Sequence, residues 1–106
     1  LSRLEKEFEK QLNEYGLIPY LTQYRAVPKR QFRFDFAFPK ESLLIEIQGG
    51  VWSRGAHGRG SGIVRDYEKL NLAVKNGFFV LQFDTNMVKS KEGIELVKSI
   101  LENRRN

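Results

Sequence analysis

Apolar residues recur at Leu4, Phe8 and Leu12, one every four positions, a spacing that lines one face of a helix. Ser2, with Glu5 three residues later, supplies a capping-box start, so an amphipathic helix is predicted from Ser2 to about Tyr15. Gly16 stops it and Pro19 follows. The period then shortens to two. Tyr20 to Val27, rich in β-branched and aromatic residues, reads as a first strand, with Pro28 and Lys29 making the turn. From Gln31 to Phe38 the alternation predicts a second strand, with Phe32, Phe34, Phe36 and Phe38 on one face and Arg33, Asp35 and Ala37 on the other. Pro39 to Ser42 is a short hairpin connection into LLIEIQGG, residues 43 to 50. In that third strand Leu43, Ile45 and Ile47 point one way while Leu44, Glu46 and Gln48 point the other.

A glycine-rich stretch, GGVWSRGAHGRGSG, comes next. Beyond it a second helix is predicted from about Ile63 to Asn76, with Tyr67, Leu70 and Val74 as its apolar stripe and Gly77 as its stop. FFVLQF, Phe78 to Phe83, reads as a core strand, and Ser90 to about Asn103 as a third helix facing inward through Ile94, Val97 and Leu101. The order αβββαβα predicts an α/β fold: a mixed four-stranded sheet with helices on both sides. At 106 residues the chain suits one domain, 1–106, around one core.

Composition narrows the chemistry. Cysteine is absent, which removes disulfides and thiolate metal sites and leaves oxygen donors, or the lone His57, to hold any cation. It also suits a reducing cytoplasm. No apolar run approaches the roughly 20 residues of a membrane span, and no secretory pattern opens the chain. The chain does not begin with Met, which leaves room for residues before Leu1. Eighteen basic residues against thirteen acidic give a formal charge of +5. The cations gather at Lys29, Arg30 and Arg33 and again at Arg54, Arg59 and Arg65, a distribution that suits a polyanion partner as well as a solvated basic face.

Glu46 interrupts a buried strand, and an unpaired charge there would cost several kcal/mol, on the order of the desolvation penalty. Asp35 interrupts the neighbouring strand on the equivalent face. Pairing the hairpin around Lys40 and Glu41 sets the two acids at one level of the sheet, where bare carboxylates would repel. A divalent cation such as Mg²⁺ or Mn²⁺ removes that conflict, since it takes oxygen ligands from one or two carboxylates plus water and a phosphate oxygen. Gln48, one pleat further on, would sit beside the metal or the phosphate. Two solvent-facing acids on a half-exposed sheet are the simpler alternative.

The string FDF, then IEIQ eleven positions on from the Asp, then a glycine pair and a helix, resembles the PD-(D/E)XK nuclease superfamily. More narrowly, FDFAF, LLIEIQGGVWSRGAHGRGSGIVRDYEKLN and their order resemble small phage-encoded endonuclease-like proteins, distantly similar to very-short-patch repair endonucleases. The resemblance spans roughly residues 4 to 83. It implies a restriction-endonuclease-like core, a Mg²⁺-dependent endodeoxyribonuclease and, if the chain is phage-encoded, the cytoplasm of a bacterial host. It makes Asp35 and Glu46 metal ligands, with a helix-one acid that falls on Glu5, although by spacing Glu5 equally serves as a cap residue and Glu9 lies one turn later. The superfamily's usual Lys is Gln48 here, so another group must assist the water. Lys69, on one helix face with Asp66, and His57 are the candidates, while a surface ion pair of Asp66 with Lys69 and a surface histidine are the plainer readings.

For DNA contact the candidates are Arg33, Arg54, Arg59 and Arg65, with Trp52 either a stacking platform or a core plug. The resulting expectation is a metal-dependent DNA endonuclease. A non-catalytic nucleic-acid-binding module and a resolvase of branched DNA stand as alternatives. A double-strand break would call for a homodimer.

Overall fold

A computed structural model of the chain describes residues 1–50 and 61–105, with side chains from Arg65 onward in the helix that starts at Ser61. Helix α1 runs Arg3–Glu14. Ser2 Oγ accepts the Glu5 amide at 3.1 Å, which satisfies one of the donors that open every helix, and Phe8, Gln11 and Leu12 turn inward. Three strands follow, β1 (Leu21–Tyr24), β2 (Phe34–Phe38) and β3 (Leu43–Ile47), with a 3₁₀ turn at Pro39–Glu41 closing the β2–β3 hairpin. Helix α2 (Ser61–Lys75) crosses over to β4 (Phe79–Phe83), and α3 (Thr85–Lys89) and α4 (Glu92–Arg105) complete the chain.

The sheet order is β1-β2-β3-β4. β1 and β2 are antiparallel, as are β2 and β3, whereas β4 runs parallel to β3 with Glu46 opposite Gln82. This is the mixed four-stranded sheet the pattern predicts. Both faces are covered. On one, Phe36, Phe38, Leu43 and Ile45 pack with Phe8, Leu12, Val88, Ile94, Val97 and Leu101. On the other, Ala37 and Leu44 pack with Ala26, Val27, Phe32, Phe34 and Ala73. Each fully buried Phe or Leu contributes about 1.5–3 kcal/mol through the apolar area withdrawn from water.

Five expectations change. The first strand is confined to Leu21–Tyr24, because Ala26 and Val27 turn into the second cluster. The four phenylalanines of β2 do not share one face: Phe36 and Phe38 lie with α1, Phe32 and Phe34 with Ala73 of α2. Phe32 precedes β2, and Phe34 pairs with Tyr24 of β1 alone, beyond the last β2–β3 pair at Phe36, so strands on both sides no longer fix the face these rings present. The stripe on α2 is also misplaced, since Tyr67 and Val74 are exposed and Ala73 faces the sheet. Phe79 of the supposed core strand is 58% exposed, with the Arg104 guanidinium 4.2 Å from its ring centre. A further helix, α3, starts where Asp84 Oδ1 accepts the Met87 amide at 2.9 Å, so the order is αβββαβαα.

Candidate active site

The last paired residues of the β2–β3 ladder are Phe36 and Ile45. One step beyond them stand Asp35 and Glu46, and there the carboxylates replace the backbone rung. Glu46 Oε1 accepts the Asp35 amide at 3.1 Å, and Asp35 Oδ2 accepts the Ile47 amide at 2.7 Å. Each acid is therefore fixed by the strand opposite, which holds both carboxylates at the ladder's end. Gln23 Nε2 of β1 approaches Asp35 Oδ1 at 3.5 Å, a long contact.

Lys69 enters this corner from α2. Its Nζ donates to Glu46 Oε2 and to the Arg33 carbonyl, both at 2.6 Å, and lies 4.5 Å from the Phe34 ring centre. The Lys69 and Glu46 side chains are only 16% and 13% exposed, so this pair is much less screened than a surface bridge. Asp35 differs. Burial above all, then the neighbouring charges of Glu46 and Glu5, push its carboxyl up to about 6, against the opposing pull of the Ile47 amide and Lys69. Burial thus outweighs the positive charge that Lys69 brings to this carboxyl.

Glu5 belongs to the same corner through its charge on Asp35. Glu9, one turn later, is engaged by Tyr20, whose hydroxyl donates to its Oε2 at 3.0 Å. The glycine pair after β3 explains how α1 comes so near. A Cβ on Gly49 would meet Leu4 Cδ2 at 3.1 Å, a tight contact that Leu4 would have to yield to, so the absence of a side chain there eases the approach of the first turn of α1 to the end of β3.

Gln48 extends the β3–β4 ladder, its amide donating to the Phe83 carbonyl at 2.7 Å, while its side-chain Nε2 donates to Gln82 Oε1 at 3.0 Å. Gln82 is the site neighbour that sequence reasoning missed. Its signal was present, as the one polar residue of FFVLQF, but only the parallel register sets it beside Glu46. Arg33 is exposed and gives its carbonyl to Lys69. The Arg30 and Arg65 guanidiniums lie 4.4 and 5.5 Å from the Phe32 ring centre, and Arg30 pairs with Glu68. Asp66 is half-buried one turn before Lys69. Trp52, Arg54, His57 and Arg59 lie outside the described residues.

Among the described residues no three His, Cys, Asp or Glu side chains gather as a ready-made metal cage. The donors nevertheless suit a hard cation. Asp35 and Glu46 offer oxygen only, one or two carboxylates suffice for Mg²⁺ when water and phosphate complete the shell, and Asp35 has charge to be compensated.

The chain matches a solved structure titled as the catalytic domain of the homing endonuclease I-Bth0305I, with a TM-score of 0.72 over 100% of both chains and 17% sequence identity. Its fold is the one seen in that catalytic domain. No family model and no curated protein matches the sequence.

Proposed function

We propose that this chain is a metal-dependent endonuclease that hydrolyses phosphodiester bonds in DNA, with a PD-(D/E)XK-type site built from Asp35, Glu46 and Gln48. The observation that carries the reading is the meeting of Asp35, Glu46 and Lys69 at the open end of the β2–β3 ladder, in a fold shared with a homing endonuclease catalytic domain. Mg²⁺ or Mn²⁺, held by Asp35 and Glu46 with Glu5 reaching it through water, would neutralise phosphate charge and lower the pKa of the attacking water.

The protein's own groups do the rest. Gln48, steadied by Gln82, orients the water that adds to phosphorus as the bond to the leaving sugar oxygen breaks. Lys69 neutralises the charge that grows on the phosphate in that displacement, and it takes the place of the strand lysine that Gln48 vacates. His57 passes a proton between the reacting oxygens and solvent. One such site cuts one strand, so a double-strand break would recruit a second copy.

Cleavage of labelled linear, single-stranded and branched DNAs in Mg²⁺, Mn²⁺ and EDTA tests the proposal. Asp35→Asn and Glu46→Gln should each lower the rate by at least about a hundredfold to a thousandfold, the scale of losing a group that acts on the transition state. Cleavage in EDTA, or at the wild-type rate by either folded variant, would sink it. A preference for four-way or flapped DNA would assign the chain as a resolvase. The Gln48 side chain bonds to Gln82 where a superfamily member would place an ammonium, and this favours one rival: a binding module that retards DNA on a gel without producing new strand ends.

A further inference from the structure

The connection between β1 and β2, RAVPKRQFR over residues 25–33, carries Arg25, Lys29, Arg30 and Arg33 and no acid. Its cations are exposed, while Ala26, Val27 and Phe32 are buried in the second cluster at 8%, 4% and 4% exposure. The backbone is pinned by a turn in which the Arg30 amide donates to the Val27 carbonyl at 3.3 Å and Lys29 sits at φ +65°, a left-handed geometry costly for a residue with a side chain. Arg30 and Arg65 both lie over the Phe32 ring, so two guanidiniums share one aromatic anchor, with Glu68 as partner to Arg30. Among the described residues no acid pairs with Arg25, Lys29 or Arg33.

A solvated surface has no need of this arrangement. Charge repulsion alone would favour a loose loop, whereas here three buried anchors hold the backbone that carries the exposed cations. The segment also ends at the candidate site, because Lys69 joins the Arg33 carbonyl to the Glu46 carboxylate. A pair of acids repels a phosphodiester chain, and cations along the approach offset that repulsion. We infer that residues 25–33, with Arg65, form a preorganised clamp for the phosphate backbone of the DNA strand flanking the scissile bond, an inference that takes the position of that bond from the nuclease reading. Glu68 then acts as a counter-charge that phosphate displaces from Arg30.

The test is binding of a short labelled DNA duplex in EDTA, read by fluorescence anisotropy across a salt series. The variants are the triple substitution Arg25→Gln, Lys29→Gln, Arg33→Gln; the single Glu68→Gln; and a control, Lys10→Gln, Lys91→Gln, Lys98→Gln, which removes the same charge from exposed positions on α1, α4 and the residue before α4. Each clamp cation removed should flatten the slope of log affinity against log salt by roughly 0.9, so the triple variant should lose about tenfold or more in affinity at low salt. The control should lose far less. Glu68→Gln should bind more tightly than wild type, which tests the clamp even if the triple variant folds poorly. Equal losses in clamp and control variants, an unchanged slope, or no binding by the wild type would each overturn the inference. An unchanged slope alongside Asp35-dependent cleavage would discard the clamp and leave the nuclease, whereas a flattened slope with no cleavage would discard the nuclease, keep the phosphate contacts of residues 25–33, and overturn their placement beside a scissile bond.

Discussion

Lys69 and Glu46 meet where little water reaches them, so truncating either leaves a charge stranded. Lys69→Met should therefore destabilise the protein by about 1–3 kcal/mol, the cost of an unmatched partly buried group. Adding Glu46→Gln to Lys69→Met should restore part of that loss, and a double-mutant cycle by urea denaturation measures the coupling. Asp35 yields a pH prediction. Its folded-state value is raised from 3.8 to about 6, so the native state binds a proton more tightly than the unfolded chain does. The stability this confers is complete below the unfolded value and is lost as pH rises through about 6. In divalent-free buffer Asp35→Asn should remove that fall, so that its stability relative to wild type improves between about pH 4 and pH 8; equal pH dependence in the two proteins would contradict the assignment.

At the scale of elements, α4 lies so close to β4 that Gly93 has no room for a methyl group. A Cβ there would stand 2.9 Å from Phe83 Cδ2, a ring atom of a side chain 3% exposed. Gly93→Ala gains up to about 1 kcal/mol in helix propensity and loses about 1–3 kcal/mol to overpacking. The melting temperature should fall by several degrees, on the order of 4–8 °C per kcal/mol of net loss. The hairpin was legible in the sequence because a short connection fixes register, and register together with alternation brings Asp35 level with Glu46. Helix α2 was not. The spacing of Tyr67, Leu70 and Val74 looked like a buried stripe, yet the helix turns Lys69 and Ala73 to the sheet instead. A small residue permits close approach, and a lysine can be buried once an acid waits for it, but that acid lies 23 positions away in the chain. Gln82 was hidden for the same reason, since parallel pairing across a helical crossover leaves no local trace.

Over the whole molecule, the two apolar clusters sit on opposite faces of one sheet and share its central strands, β2 and β3. Damage to either face should therefore be felt by both. Phe36→Ala in the first cluster and Leu44→Ala in the second should each cost about 2–5 kcal/mol and shift one cooperative transition, with far-UV circular dichroism and tyrosine fluorescence moving together. Two separated transitions would mean that the faces fold independently. The fold class was readable from element order alone. Which helix covers which face, and how the basic β1–β2 connection is anchored, depended on contacts between distant residues.

The clasp in which Glu46 accepts the Asp35 amide and Asp35 accepts the Ile47 amide carries a consequence for descent. Strand closure and the proposed chemistry pass through the same two codons, so a lineage that gives up cleavage still needs an acceptor at each position. Its inactive members should drift to Asn and Gln, whose carbonyl oxygens keep the clasp, before they reach Ala, which releases it.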